Sequence, residues 1–133
     1  MTANSDELLT VARQAMSRAY APYSGFTVGA AVRGASGRVY GGCNIENAAY
    51  PQGWCAEASA ITAMIMAGEQ HVIEAAVIGP GAALITLCGG CRQKLREFAA
   101  PDIPVHLCSL EGISKTVTLA ELLPLSFGPE NLR

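Results

Sequence analysis

Three cysteines at the starts of two helix-forming segments constrain this chain more than any other feature. Cys88-Gly-Gly-Cys91 spaces two thiols about one helical turn apart, so they share a face if both lie in a first turn, and one metal ion can touch both. Gly89 and Gly90 permit close backbone approach, and the partial positive charge of a helix N-terminus favours thiolate over thiol. A redox dithiol or half of a structural zinc site has the same spacing. Cys55-Ala-Glu57 adds a third thiol at another helix start and a carboxylate two residues on. Three ligands leave one position open, the arrangement of a catalytic zinc, whereas a closed structural site wants four. Cys43 and Cys108 fall at expected strand ends and read as small buried hydrophobes rather than as a fourth ligand.

Length and charge narrow the partners. A chain of 133 residues fits one domain, 1–133. Half of its residues are hydrophobic and 15% are charged, so some apolar surface is expected between subunits. The formal charge is -2 and no Lys/Arg cluster interrupts the sequence, which argues against a nucleic-acid partner. The segment Met1-Thr-Ala-Asn-Ser-Asp-Glu7 lacks the basic start and apolar core of a secretory leader, and no apolar run approaches the roughly 20 residues that cross a bilayer. The expectation is a cytoplasmic protein without membrane attachment, its five cysteines kept as thiols.

Periodicity supplies the elements. Leu8, Val11, Ala12, Ala15, Met16 and Ala19 form a helical stripe within Asn4–Tyr20, with Asn4 and Glu7 at capping spacing. Phe26 to Arg33 alternates like a strand, and a turn at Gly34-Ala-Ser-Gly37 leads to a second strand near Arg38–Cys43, predicting a hairpin. An irregular loop from Asn44 to Trp54 feeds a buried helix over Cys55–Ala67. A strand at Val72–Ile78, a helix at Cys88–Ala100 and a strand at Ile103–Cys108 follow. A last strand near Lys115–Thr118 returns antiparallel, because Ser109–Ser114 is too short for a helical crossover, and a short helix at Leu119–Leu123 precedes the tail. His71 and His106 lie in or beside strands and read as structural.

Spacing alone does not put Cys55 and Glu57 in one site, since a regular helix splays residues two apart. However, Asn44-Ile-Glu-Asn-Ala-Ala-Tyr-Pro-Gln-Gly-Trp-Cys-Ala-Glu57, followed by Cys88-Gly-Gly-Cys-Arg-Gln93, resembles the cytidine deaminase family, whose signature pairs Cys- or His-Ala-Glu with a later Cys-x-x-Cys. Tyr23-Ser-Gly-Phe-Thr-Val-Gly-Ala-Ala31 resembles its first strand, and Leu122-Leu-Pro-Leu-Ser-Phe-Gly-Pro-Glu-Asn-Leu132 its C-terminal segment. The resemblance implies a three-layer α/β/α fold with a five-stranded mixed sheet, and one zinc per subunit on Cys55, Cys88 and Cys91. It implies hydrolytic deamination of cytidine and 2′-deoxycytidine with release of ammonia, in pyrimidine salvage, Glu57 moving the protons. Asn44 and Glu46 match ribose-binding positions, Phe26 the residue that packs on the base, and Ala56 the one whose backbone reads the base edge. This length resembles the small homotetrameric branch, in which Ala48, Tyr50 and Phe127 match positions that a neighbouring subunit contributes. Without the resemblance, Phe26 reads as the inward residue of a strand. The rival readings are a deaminase of a modified nucleoside or nucleoside antibiotic, and a non-catalytic zinc-stabilised nucleoside-binding module.

Six positions depart from the family pattern. Ala58 stands where the small enzymes usually carry Arg, so no cation there offsets three thiolates, whose charge exceeds that of Zn(II). Leu87 replaces the common Pro before Cys88, Gly25-Phe-Thr27 replaces Lys-Phe-Pro, and Gln52 and Trp54 make the approach to Cys55 polar and bulky.

Overall fold

A computed structural model describes residues 3–133. Along the chain it contains helix α1 (Ala3–Met16), strands β1 (Gly29–Gly34) and β2 (Val39–Cys43), helix α2 (Ala56–Met66) and strand β3 (Val72–Ile78). Helix α3 (Gly89–Phe98), strands β4 (Pro104–Ser109) and β5 (Gly112–Thr118) and helix α4 (Leu119–Leu122) complete it, with 3-10 turns at Tyr50–Gln52 and Pro129–Leu132. The strands form one sheet in the order β2-β1-β3-β4-β5. β3 and β4 pair in parallel across the α3 crossover, and every other neighbouring pair is antiparallel.

Strand alternation divides the core. Ala30 and Val32 of β1 pack with Ala60, Ile61 and Met64 of α2 and Leu95 of α3, while Ala31 between them packs with Leu8, Leu9 and Ala12 of α1. Helices therefore cover both faces of a mixed sheet, the expected three-layer α/β/α arrangement. Because both faces of β1 are covered, all six of its residues are buried. Gly42 lets α2 lie close against β2, since a Cβ there would collide with the backbone of Ala56 and Ala60.

The boundaries shift where side chains or neighbouring segments capture the backbone. β1 starts at Gly29 rather than Phe26, which corrects the reading of Phe26 as an inward strand residue. Phe26 lies in the approach to the strand and is 45% exposed. The Asn44 amide donates to the Phe26 carbonyl and accepts from Val28 N–H, each at 2.9 Å, substituting for ladder bonds. α1 stops at Met16 because Tyr20 is drawn into a bridge with Ile45, its N–H donating to the Asn44 carbonyl at 3.0 Å. At its other end Asn4 lies within the helix, and its carbonyl accepts from Arg33, as does the Glu7 carboxylate at 2.9 Å. β5 begins at Gly112, because the tight Ser109–Gly112 reversal and a bulge at Leu107/Cys108 extend the pairing. His106 is structural as expected: it is buried, with Nδ1 2.8 Å from Thr116 Oγ1 and Nε2 2.6 Å from Glu74 Oε2.

Candidate metal centre and substrate pocket

α2 and α3 lie side by side on one face of the sheet with their N-termini together, and the three cysteines sit at that junction. Cys55 and Cys88 are the N-cap residues, with extended backbone, and Cys91 stands one turn into α3. This cap geometry resolves the spacing difficulty at Cys55-Ala-Glu57. Cys55 is outside the helical turn, so its side chain and that of Glu57 line the same pocket. The three Sγ atoms lie within 4.8 Å of one another, with Cys55 and Cys88 sulfurs 3.9 Å apart. Zinc–sulfur bonds of about 2.3 Å at tetrahedral angles place sulfurs about 3.8 Å apart, so this donor set fits a single zinc ion. Cys108 cannot join it, because it is packed on the opposite, α1 face of the sheet. Cys43 is half-buried rather than buried, and its thiol points to the Arg18 carbonyl at 3.6 Å.

Burial and crowding govern the local charges. Burial, then the charges of Glu57 and Cys55, push the Cys91 thiol far up, and burial likewise raises Cys55. At Cys88 burial acts in the same direction but is outweighed by hydrogen bonds from the Cys91 backbone and thiol and from Cys55, leaving it lowered. A divalent cation at the centre of such a cluster reverses the penalty by deprotonating its ligands. Glu57 is 8% exposed, and burial lifts its carboxyl above the ordinary carboxylate range against the opposing hydrogen bonds of its own backbone N–H and the Cys91 thiol and the smaller pull of Lys94. Ala58 is buried on α2 and brings no cation to the thiols. Lys94 is exposed on α3, its ammonium 5.7 Å from the Trp54 ring centroid, and it lines a groove with Ala58 that is separate from the thiol pocket. Rigidity before Cys88 comes from Arg92 instead of a proline: Nε donates to the Leu87 carbonyl at 2.8 Å, Nη1 to the Leu122 carbonyl at 2.7 Å and Nη2 to Thr86 Oγ1 at 3.3 Å.

Cys55, Ala56, Glu57, Cys88, Phe26 and Asn44 line one pocket of about 190 Å³. Val28, Val77, Ile85 and Thr86 complete its wall. Sequence reasoning missed these four, since only strand and loop placement brings them to the thiols. Glu46 and Tyr50 line a separate cavity of about 390 Å³ with Tyr23, Ser24, Asn47 and Gly53. The Glu46 carboxylate accepts from the N–H groups of Tyr23 and Ser24 at 2.9 and 3.1 Å and from the Ser24 hydroxyl, which hold it below the ordinary carboxylate range. Ala48 and Phe127 are exposed and line neither cavity.

A three-layer α/β/α domain with three convergent thiols at paired helix N-termini defines a zinc-binding protein of the deaminase type. The family described as the cytidine and deoxycytidylate deaminase zinc-binding region matches residues 2–107. The chain is 39% identical over 127 residues to a cytidine deaminase of Sporosarcina psychrophila, covering 96% of this chain and 93% of that one. It is 35% identical over 121 residues to a cytidine deaminase of Mycobacterium tuberculosis, covering 91% and 87%. Its fold matches a crystal structure of cytidine deaminase from Burkholderia pseudomallei with a TM-score of 0.87 and 38% identity, over 96% of this chain and all of that one. The chain belongs to the cytidine deaminase family.

Proposed function

We propose that the protein is a zinc-dependent hydrolase that converts cytidine and 2′-deoxycytidine, with water, to uridine or 2′-deoxyuridine and ammonia. The observation that carries this reading is the buried Glu57 carboxylate in the same 190 Å³ pocket as the Cys55 and Cys88 thiols, with Cys91 beneath them. Cys55, Cys88 and Cys91 would hold one zinc, which when bound supplies a Lewis acid able to lower the pKa of water to about 7. Glu57 takes a proton from the attacking water, places it on ring N3, and later delivers one to the exocyclic amine. Water oxygen ends on C4, the C4–N4 bond breaks, and ammonia leaves. The Ala56 backbone reads the base edge while Phe26 packs on the base. Asn44 holds the Phe26–Val28 backbone through both ends of its amide, so its role includes shaping the pocket as well as meeting the ribose. A nucleoside is favoured over a nucleotide because neither the thiol pocket nor the adjoining Glu46 cavity is lined by a Lys or Arg to receive a phosphate.

The reading extends to a homotetramer in which Ala48, Tyr50 and Phe127 close a neighbour's pocket. Tyr50 and Phe127 are 77% and 59% exposed, as residues reserved for another copy should be. Among the described residues no helix is long and apolar enough to cross a membrane, which is compatible with a cytoplasmic role in pyrimidine salvage.

The test follows cytidine and deoxycytidine by ultraviolet absorbance with zinc-quantified protein, beside a Glu57→Gln variant that retains zinc. Loss of the cytosine chromophore and ammonia release by the parent alone support the assignment. One zinc per chain without turnover of either nucleoside would overturn it in favour of another aminated substrate or a binding module.

A further inference from the structure

α3 carries two sets of functional residues along one rigid rod. Its N-terminal end bears Cys88 and Cys91, and the following turns bear Gln93 and Arg96, which grip the C-terminal segment. Arg96 is 7% exposed, a depth at which a guanidinium requires partners. It finds them in the tail: Nε donates to Ser126 Oγ at 2.9 Å, and Nη2 forms an ion pair with Glu130. The Gly128 backbone lies directly against the guanidinium, since a Cβ built on Gly128 would stand 2.5 Å from Arg96 Cζ. Gln93 Nε2 donates to the Phe127 carbonyl at 2.8 Å. The main chain is thus fixed at Ser126, Phe127 and Gly128, yet the Phe127 side chain is left largely exposed. Just upstream, Leu125 adopts φ 53°, a left-handed conformation that a branched side chain rarely takes and that the surrounding contacts must hold in place.

We propose that Arg96 is a positioning residue for catalysis in a neighbouring copy: it locks residues 126–130 so that Phe127 is presented to that copy's nucleoside pocket. The inference rests on the homotetrameric reading above. The guanidinium does not touch substrate and acts only through the tail. A flat, permanently charged group suits the position, because it stacks under a glycine while bonding a hydroxyl on one edge and a carboxylate on the other. A lysine keeps the charge for Glu130 but loses the bond to Ser126 and the flat surface under Gly128.

The experiment is steady-state cytidine kinetics on zinc-loaded Arg96→Met, Phe127→Ala and the double variant, each at matched zinc content and oligomeric mass. Phe127→Ala should raise KM, and Arg96→Met should raise it about fivefold or more with kcat within about twofold of the parent. In the double variant, loss of Arg96 should add less than about twofold to the KM of Phe127→Ala, because its route to substrate is already gone. Arg96→Lys should fall between parent and Arg96→Met. An equal KM rise in both backgrounds would mean that Arg96 acts independently of Phe127, and would overturn the proposal. So would an unchanged KM in Arg96→Met beside a raised one in Phe127→Ala, which leaves the shared-site reading intact. An unchanged KM in Phe127→Ala removes the shared-site reading itself. If Arg96→Met does not fold, Gly128→Ala displaces the guanidinium from the other side and is held to the same outcomes.

Discussion

At Glu57 the placement matters more than the residue type. Acids are common in the first turn of a helix, where they complement its dipole by roughly 0.3 to 1 kcal/mol, but such acids are usually solvated. This one is 8% exposed, shares a pocket with two thiols, and has its carboxyl raised by burial. Glu57→Gln keeps the shape and removes the proton carrier, so kcat should fall by about 10²–10⁴ while zinc content stays at one per chain. Turnover by absorbance and zinc by atomic absorption on the same sample check both halves. Asn44 illustrates a role that motif matching alone undersells. Its amide spans Phe26 and Val28 and thereby fixes the backbone that carries the Phe26 ring at the pocket.

At the scale of elements, two features determine how the helices are held to the sheet. α2 approaches β2 at Gly42, where any side chain meets helix backbone, so Gly42→Ala should lower unfolding free energy by about 1–3 kcal/mol or more. Because α2 carries Cys55 and Glu57, the same variant should bind zinc more weakly; urea denaturation and a competitive zinc chelator measure the two effects. On the opposite face, α1 is tied down through Glu74, whose carboxylate receives Ser5 Oγ at 3.0 Å, His106 Nε2 at 2.6 Å and Arg33 Nε at 3.3 Å. Burial alone would raise this carboxyl, but His106, Ser5 and Arg33 outweigh it and hold it below its ordinary 4.5. A group lowered on folding stabilises the native state above its unfolded pKa and loses that contribution as pH falls through the native value. Glu74→Gln should therefore be less stable than the parent by about 1–3 kcal/mol at pH 7, and the gap should narrow as the pH is taken below about 4. A gap independent of pH would assign the effect to packing rather than to charge.

For the molecule as a whole, we propose that residues 1–133 fold as one domain, since the two core clusters lie back to back on a single sheet and α2, α3 and α4 share one of them. One cooperative thermal transition is expected from the zinc-bound protein, and removing zinc with a chelator should lower its midpoint without splitting it. Linkage gives the sign: a ligand bound only by the native state stabilises it by RT ln(1 + [L]/Kd), about 4 kcal/mol when free zinc is a thousandfold above Kd. Calorimetry at fixed protein concentration, with and without chelator, decides this. Two resolved transitions would refute the single domain, and an unchanged midpoint would refute zinc's part in stability.

The sequence by itself determined the elements and the residues gathered at the candidate metal centre. Apolar alternation specified each strand to within a few residues, the helix-start cysteines specified a three-thiol centre, and the family signature pointed to Glu57 beside it. These are local patterns, and a local pattern constrains backbone and residue type directly. Tertiary structure decided what depends on contacts between distant segments. Asn44, captured by Phe26 and Val28, took the start of β1 away from Phe26; Tyr20, bridged to Ile45, cut α1 short. The extended backbone at Cys55 turned two residues that a helix would splay into one pocket. Arg92 ties down the Leu87 carbonyl where the family commonly has a proline, and no spacing in the chain points to it. Arg96 reads in the sequence as an ordinary charged residue of a helix. Only the return of residues 126–130 across α3 buries it and makes it the fastening of the tail.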